Sequence, residues 1–159
     1  MNLKNSNILK MITVREANPG DENIIANFQV RMAKETEQID LDRDIVNKGV
    51  NAVLNSPEKG IYFVAESGNK IIASLLITFE WSDWRNGNVY WIHSIYVLPE
   101  FRKKGVFKTM YLHLKNIAQK DENIRGLRLY VDKTNINAQK VYEIMGMDGD
   151  HYMLFEWMK

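Results

Sequence analysis

The chain has no cysteine, which removes disulfides, thiolate metal sites and a cysteine nucleophile from its chemistry. It also lacks an excess of charge of either sign. Twenty-one basic against 20 acidic side chains leave a net +1, so a whole-molecule attraction to nucleic acid is not expected and any basic patch must be local. No apolar run approaches the roughly 18–20 residues of a membrane span, and the polar, Asn-rich residues Met1 to Lys10 lack the apolar stretch of a secretion signal. Low-complexity linkers and internal repeats are missing too. What is present is 159 residues, 45% of them apolar, enough for one domain around a single core without covalent staples. The expectation is a flexible extension over residues 1–10 and a domain over residues 11–159, in a cytoplasmic protein without membrane contact.

Hydrophobic periodicity orders the elements. Ile12-Thr13-Val14-Arg15 alternates as a strand, and the turn Asn18-Pro19-Gly20-Asp21 supplies helix-start chemistry ahead of Ile24, Ile25, Phe28 and Met32 on one helical face. A second helix is expected over Asp42 to Leu54. Strands follow at Ile61 to Glu66 and Lys70 to Phe79, joined by the hairpin-favouring Ser67-Gly68-Asn69. After a loop from Trp81 to Gly87 comes a strand over Val89 to Val97, then a helix over Phe107 to Lys120, a strand over Leu127 to Val131, a helix over Asn135 to Met145 ended by Gly146, and a last strand over His151 to Met158. The order β-α-α-β-β-β-α-β-α-β reads as an α/β (α+β) single domain, a central mixed β-sheet flanked by helices.

The joint between the Val89 to Val97 strand and the helix after it is the most informative segment. Arg102-Lys103-Lys104-Gly105-Val106-Phe107-Lys108 puts cations and one glycine where a helix begins. Helix starts present unpaired N–H groups and a partial positive charge, and a glycine lets backbone approach a ligand closely. The joint therefore reads as a phosphate or pyrophosphate cradle; the same residues also suit a merely solvated basic face.

A second set, Asn135, Ala138, Tyr142 and Gly146-Met147, follows the next strand. The pairing of the two sets resembles the GCN5-related N-acetyltransferase (GNAT) superfamily, whose members carry Arg/Gln-x-x-Gly-x-Gly/Ala after a central strand and later Asn-x-x-Ala with a Tyr four residues on. The likeness extends along residues 11 to 158 and implies the acyl-CoA N-acyltransferase fold. Phe107 departs from it, standing where the family has Gly or Ala. Either Phe107 faces the core with Met110 and Tyr111 and leaves the backbone cradle intact, or its bulk alters the pyrophosphate pose.

The resemblance implies acetyl-CoA as cosubstrate, with no metal. Its pyrophosphate would lie on the amides of Lys103, Lys104, Gly105, Val106, Phe107 and Lys108, helped by Arg102. Its pantetheine arm would run along Ile95, Tyr96 and Val97 as an added pseudo-strand, with Asn135 bonding the chain or nearby backbone. The Ile95 N–H would stabilise the oxyanion. Tyr142 stands where the family protonates the leaving thiolate, and a phenol suits that task; packing alone would also explain it. His93 interrupts an otherwise apolar strand face of Val89, Trp91, Ile95 and Val97, as a general base for the amine or as a hydrogen-bonded core histidine. Read from the residues themselves, the acidic and aromatic set Glu80, Trp81, Asp83 and Trp84 suits holding a cationic amine by charge and cation–π contact, as do Glu35, Glu37 and Asp40; a surface loop with its Trp side chains packed inward explains the set equally well. The expected reaction is direct transfer of acetyl to a primary amine of a small molecule or peptide in a ternary complex. The alternative is a non-catalytic acyl-CoA-binding or sensor domain. Homodimers are common in the superfamily, and no nucleic-acid partner is expected.

Overall fold

The structure, a computed structural model, describes residues 12–159; the extension expected over residues 1–10 lies outside the described residues. The chain divides after Leu129 into two units, each taken by itself here.

The first unit is built on a five-stranded sheet of β1 (Ile12–Glu16), β2 (Ile61–Ser67), β3 (Lys70–Ser82), β4 (Gly87–Val97) and β5 (Ile124–Leu129) in the order 1-2-3-4-5. The first four are antiparallel neighbours; β5 lies parallel to β4. The helices are α1 (Glu22–Glu37), α2 (Arg43–Leu54) and α3 (Val106–Lys120). Local chemistry accounts for their ends. Asp42 accepts hydrogen bonds from the Asp44 and Ile45 amides and starts α2. Asn18 and Asp21 form a reciprocal capping box ahead of α1, and Asp21, buried, also takes a 2.7 Å ion pair from Arg15. Gly68 at φ 60° makes the two-residue hairpin between β2 and β3, with Ser67 opposite Lys70. The expected loop from Trp81 to Gly87 is shorter at both ends: β3 reaches Ser82 and β4 starts at Gly87, leaving a four-residue turn.

Register assigns the two sheet faces. Ile25 and Ala26 of α1 and Val50 of α2 pack against Tyr62 and Val64 of β2, with Leu76 at the margin, so α1 and α2 cover that face. The ring of Phe63, one position along β2, meets His113 of α3 edge-on, so α3 covers the other. Ile72, Leu75, Ile77, Ile92, Met110 and Leu114 lose almost all solvent contact; each such side chain stabilises the fold by roughly 1.5–3 kcal/mol.

The ladder between β3 and β4 is not regular. Leu76 faces His93 but Ser74 faces Tyr96, so three residues of β4 span two of β3, and Ser94 adopts a left-handed φ of 49°. This is a β-bulge, and one extra residue exchanges the faces beyond it. Val89, Trp91 and His93 share the α1 side with Thr78 and Glu80. Tyr96, paired with Ser74, also takes that side, and Val97, paired with Ala73, takes the other. The continuous face of Val89, Trp91, His93, Ile95 and Val97 expected from alternation is therefore broken at the bulge.

The second unit contains α4 (Ile136–Ile144), begun by the Asn135 side-chain Oδ1 accepting from the Ala138 amide and ended by Gly146 at φ 84°. The strand expected over His151 to Met158 is not formed: residues 147–159 adopt no regular element. A strand needs a ladder partner, and the consecutive apolar residues Tyr152, Met153, Leu154 and Phe155 offer no alternation to bury one face. Tyr152, Phe155 and Trp157 are 79%, 86% and 86% exposed.

Candidate active site

β4 pairs with β5 only from Asn88 to Ile92, the last pair being Ile92 with Leu129. From His93 to Val97, β4 keeps its β3 ladder but has no β5 partner. Half of a central strand thus presents a backbone edge within the sheet. The bulge at Ser94 lies in this half, and bulges bend a strand away from its neighbour.

The edge leads into the basic joint. After the single 3₁₀ turn Pro99–Phe101, Lys103 and Gly105 both adopt left-handed φ, 59° and 77°. Two such residues in three positions turn successive N–H groups to one side, a concavity suited to anions. The Thr109 amide and hydroxyl each donate to the Gly105 carbonyl at 3.0 Å and fix the turn to α3, whose first turn carries no acidic side chain. Lys103 and Lys108 are exposed, and Lys104 places its ammonium 5.5 Å from the Phe101 ring centre. Phe107 is half-buried, its ring 6.4 Å from that of Tyr111, whereas Val106, Met110, Tyr111 and Leu114 carry the buried stripe. Phe107 sits at the edge of the core rather than within it.

Arg102 has other attachments. Its Nε donates to the Val97 carbonyl at 2.9 Å, its terminal nitrogen donates to Glu35 at 2.6 Å, and its guanidinium lies 5.3 Å from the Tyr96 ring centre. The Glu35 carboxyl is held below the usual carboxylate range, chiefly by Arg102.

Around His93 the bulge-side face carries a layered stack. The His93 and Trp91 rings lie 6.2 Å apart and 19° from parallel, and the Arg128 guanidinium sits 5.8 Å from the Trp91 ring centre. Glu80 accepts from Trp91 Nε1 at 2.5 Å and from Arg128 at 2.6 Å, clamping the layers together. Thr78 Oγ1 lies 2.7 Å from His93 Nε2. Burial pushes the His93 pKa down, so the imidazole is neutral at pH 7 and has a lone pair to accept a proton.

Of the residues expected on the acceptor side, Glu80 has both oxygens engaged within this stack. Trp81 and Trp84 are 62% and 90% exposed and flank Asp83 at the β3–β4 turn, where the Asp83 carboxylate accepts from the Trp84 amide. Asp40 pairs with Lys34. In the second unit Asn135 caps α4, and Tyr142 is half-buried with its pKa raised by that burial. Sequence reasoning missed Thr78 and Arg128. The alternation Leu127-Arg128-Leu129 flagged a lone cation within a strand, but only the register opposite Trp91 gives it a task.

Comparison with known proteins agrees with this geometry. Residues 24–147 match the family model "Acetyltransferase (GNAT) family". The structure superposes on a "possible acetyltransferase" from Clostridium difficile 630 with a TM-score of 0.86 and 47% identity, over 94% of this chain and 98% of that one. The chain belongs to the GNAT acetyltransferase family. Two more distant structures share the fold: a "predicted acetyltransferase with acetyl-CoA" from Clostridium acetobutylicum (TM-score 0.71, 24% identity, 92% and 96% of the two chains) and AAC(6')-Iy in complex with a bisubstrate analog (TM-score 0.72, 19% identity, 93% and 98%). None of the curated proteins compared matches the chain. Among the described residues no helix is long and apolar enough to cross a membrane.

Proposed function

We propose that the protein is an acetyl-CoA-dependent N-acetyltransferase that moves an acetyl group to a primary amine by direct transfer in a ternary complex. One observation carries the reading: the β5-free edge of β4 runs directly into a left-handed basic turn at the start of α3. An extended amide chain ending in a pyrophosphate fits that sequence of features, and family membership and the acetyl-CoA complex of the C. acetobutylicum neighbour support it.

In this reading the pantetheine arm pairs with β4 between Ile95 and Val97. The pyrophosphate meets the amides of residues 103–108 and the Lys103, Lys104 and Lys108 charges. The acceptor enters as an ammonium and must lose a proton before it attacks. His93, neutral because it is buried, takes that proton directly or through a water. The amine then forms the new C–N bond, while the Ile95 N–H stabilises the oxyanion. Collapse breaks the C–S bond, and Tyr142, whose raised pKa keeps it protonated, supplies a proton to the thiolate; the second proton shed by the acylated nitrogen, passed through solvent, restores the phenol. The Trp91–His93 stack forms a rigid wall, with Glu80 as its clamp, and Trp81, Asp83 and Trp84 supply contacts to the far end of the acceptor. Asn135 steadies the pantetheine end.

The test is release of free thiol from acetyl-CoA across a panel of amines. Amine-dependent release supports the proposal. Measurable acetyl-CoA binding with no release for any amine would overturn it.

A further inference from the structure

Glu35 lies in the last turn of α1, 67 residues from Arg102 in sequence. Its two carboxylate oxygens are divided between two parts of the cofactor path. Oε2 accepts from Arg102 at 2.6 Å, and Oε1 accepts from the Tyr96 hydroxyl at 2.8 Å. Arg102 opens the turn that continues through Lys103 and Gly105, and Tyr96 belongs to the stretch of β4 beyond the bulge that has no β5 neighbour. These are the two segments the sheet ladder supports least. The β5 side of β4 is unladdered there, and the turn contains two left-handed residues whose conformation must be held from outside.

The surroundings of the carboxylate form one closed group. Arg102 Nε donates to the Val97 carbonyl, so the guanidinium spans from α1 to the end of β4. Arg31, one helical turn before Glu35, lies with Arg102 near the Tyr96 ring, 5.4 and 5.3 Å from its centre. Phe28, a further turn back, meets the same ring at 5.1 Å. Tyr96 is 3% exposed. Burial and the Glu35 contact both raise the pKa of its phenol, keeping it a donor. α1 is itself anchored by Ile25, Ala26 and Phe28 in the core. The brace therefore transmits the rigidity of a core helix to a strand edge and a turn that lack it.

We propose that Glu35 is a positioning residue for acetyl-CoA: by holding Arg102 and Tyr96 together it preorganises the pyrophosphate turn against the open edge of β4. This rests on the acetyl-CoA reading of that edge and turn. Both Glu35 oxygens are taken up by Tyr96 and Arg102 rather than left for the cationic acceptor expected from the sequence, so its effect falls on cosubstrate binding and not on the chemical step. The two side chains are 43% and 36% exposed, which limits the expected effect to about fivefold.

The experiment compares wild type with Glu35→Gln and Tyr96→Phe, measuring acetyl-CoA affinity calorimetrically and the kinetics with acetyl-CoA and with S-acetylpantetheine, which lacks the pyrophosphate. The expected result is a KM and Kd for acetyl-CoA raised about fivefold in Glu35→Gln, with kcat within twofold of wild type and a smaller rise in the S-acetylpantetheine KM, which reports only the strand-edge side of the brace. Tyr96→Phe, which keeps the ring and removes one arm of the brace, shows a smaller shift in the same direction. Equal losses for both thioesters, or a fall in kcat, would make Glu35 a general structural residue and overturn the proposal. Tighter acetyl-CoA binding by Glu35→Gln would overturn it too, by showing that Glu35 only competes with phosphate for Arg102. Unchanged affinity in a wild type that binds acetyl-CoA removes the inference alone; a wild type that does not bind acetyl-CoA removes the functional reading and the inference with it.

Discussion

Replacing Gly105 by alanine tests the cradle at its least tolerant point. Gly105 sits at φ 77°, where an L-residue costs about 1–2 kcal/mol. Alanine regains part of this by restricting the unfolded chain, by about 0.5–1 kcal/mol. The net loss of about 0.5–1 kcal/mol lowers Tm by roughly 1–4 °C in a chain of this length. The fold should therefore survive, and the signal should lie in binding. If the variant relaxes by leaving the left-handed region, the amides of residues 104–106 no longer converge, and acetyl-CoA affinity falls by about tenfold, the equivalent of about 1.4 kcal/mol. Lys103→Gly is the counterpart. Lys103 is already left-handed at 59°, so glycine relieves strain of about the same size as the entropy it adds, and Tm stays within about 2 °C. That variant keeps the turn and loses one charge, so its binding deficit against wild type is largest at low salt and shrinks as salt screens the missing attraction. Calorimetric titration of acetyl-CoA at two salt concentrations, beside thermal melts, reads all of this. Wild-type Kd and Tm in Gly105→Ala would show that the turn does not need its left-handed glycine, and the cradle would have to lie elsewhere.

His93→Gln should lower kcat/KM by about 10²–10⁴-fold. It should also abolish the acidic limb of the pH profile, which in wild type lies below pH 6.5 because burial depresses the imidazole; a persisting limb would point to another base. Tyr142→Phe should slow thiol release by about 10²-fold with acetyl-CoA Kd unchanged, and wild type should show no alkaline loss from this phenol below pH 10, since burial raises its pKa. Asp21→Ala leaves Arg15 with Glu66 as its one carboxylate partner beside the Glu16 carbonyl and removes half the capping box, at about 2 kcal/mol after discounting for the exposure of Arg15, read by urea melts. Burial alone would raise the Asp21 pKa, but the hydrogen bonds from Arg15 and the Asn18 amide carry it lower. Its contribution is therefore complete above the unfolded carboxyl value and is lost as pH falls through the lower folded one, so wild type and variant should converge in acid.

The elements were legible because their signals are local. Asp42 before an apolar helical stripe, Gly68-Asn69 between alternating runs, and Asn135 three residues before Ala138 each carry their own chemistry, and the structure places caps and turns there. The basic joint was legible as a strand-to-helix turn for the same reason. What escaped depends on register and on distance along the chain. Nothing about Ser94 announces a left-handed residue, and without the bulge simple alternation puts Ile95 and Val97 beside His93. The layers Arg128, Trp91 and His93, and the pairing of Glu35 with Arg102, join residues on different elements that only the folded sheet aligns. The apolar tail from Tyr152 to Met158 misled because hydrophobic composition resembles a strand when no partner is specified.

The placement of β4's open edge also bears on how the protein behaves in a crowded solution. Strand borders at the outside of a sheet recruit foreign strands and seed aggregates. Here the unladdered stretch continues a strand already claimed by β5 up to Ile92, so an approaching polypeptide meets the closed part of the sheet within five residues. A short amide chain needs only two or three backbone contacts, and it can use an opening too short for a stable foreign strand. An opening of this length beside Ser94 thus suits main-chain pairing with a small ligand, as the proposed cosubstrate site requires, while giving other proteins little purchase.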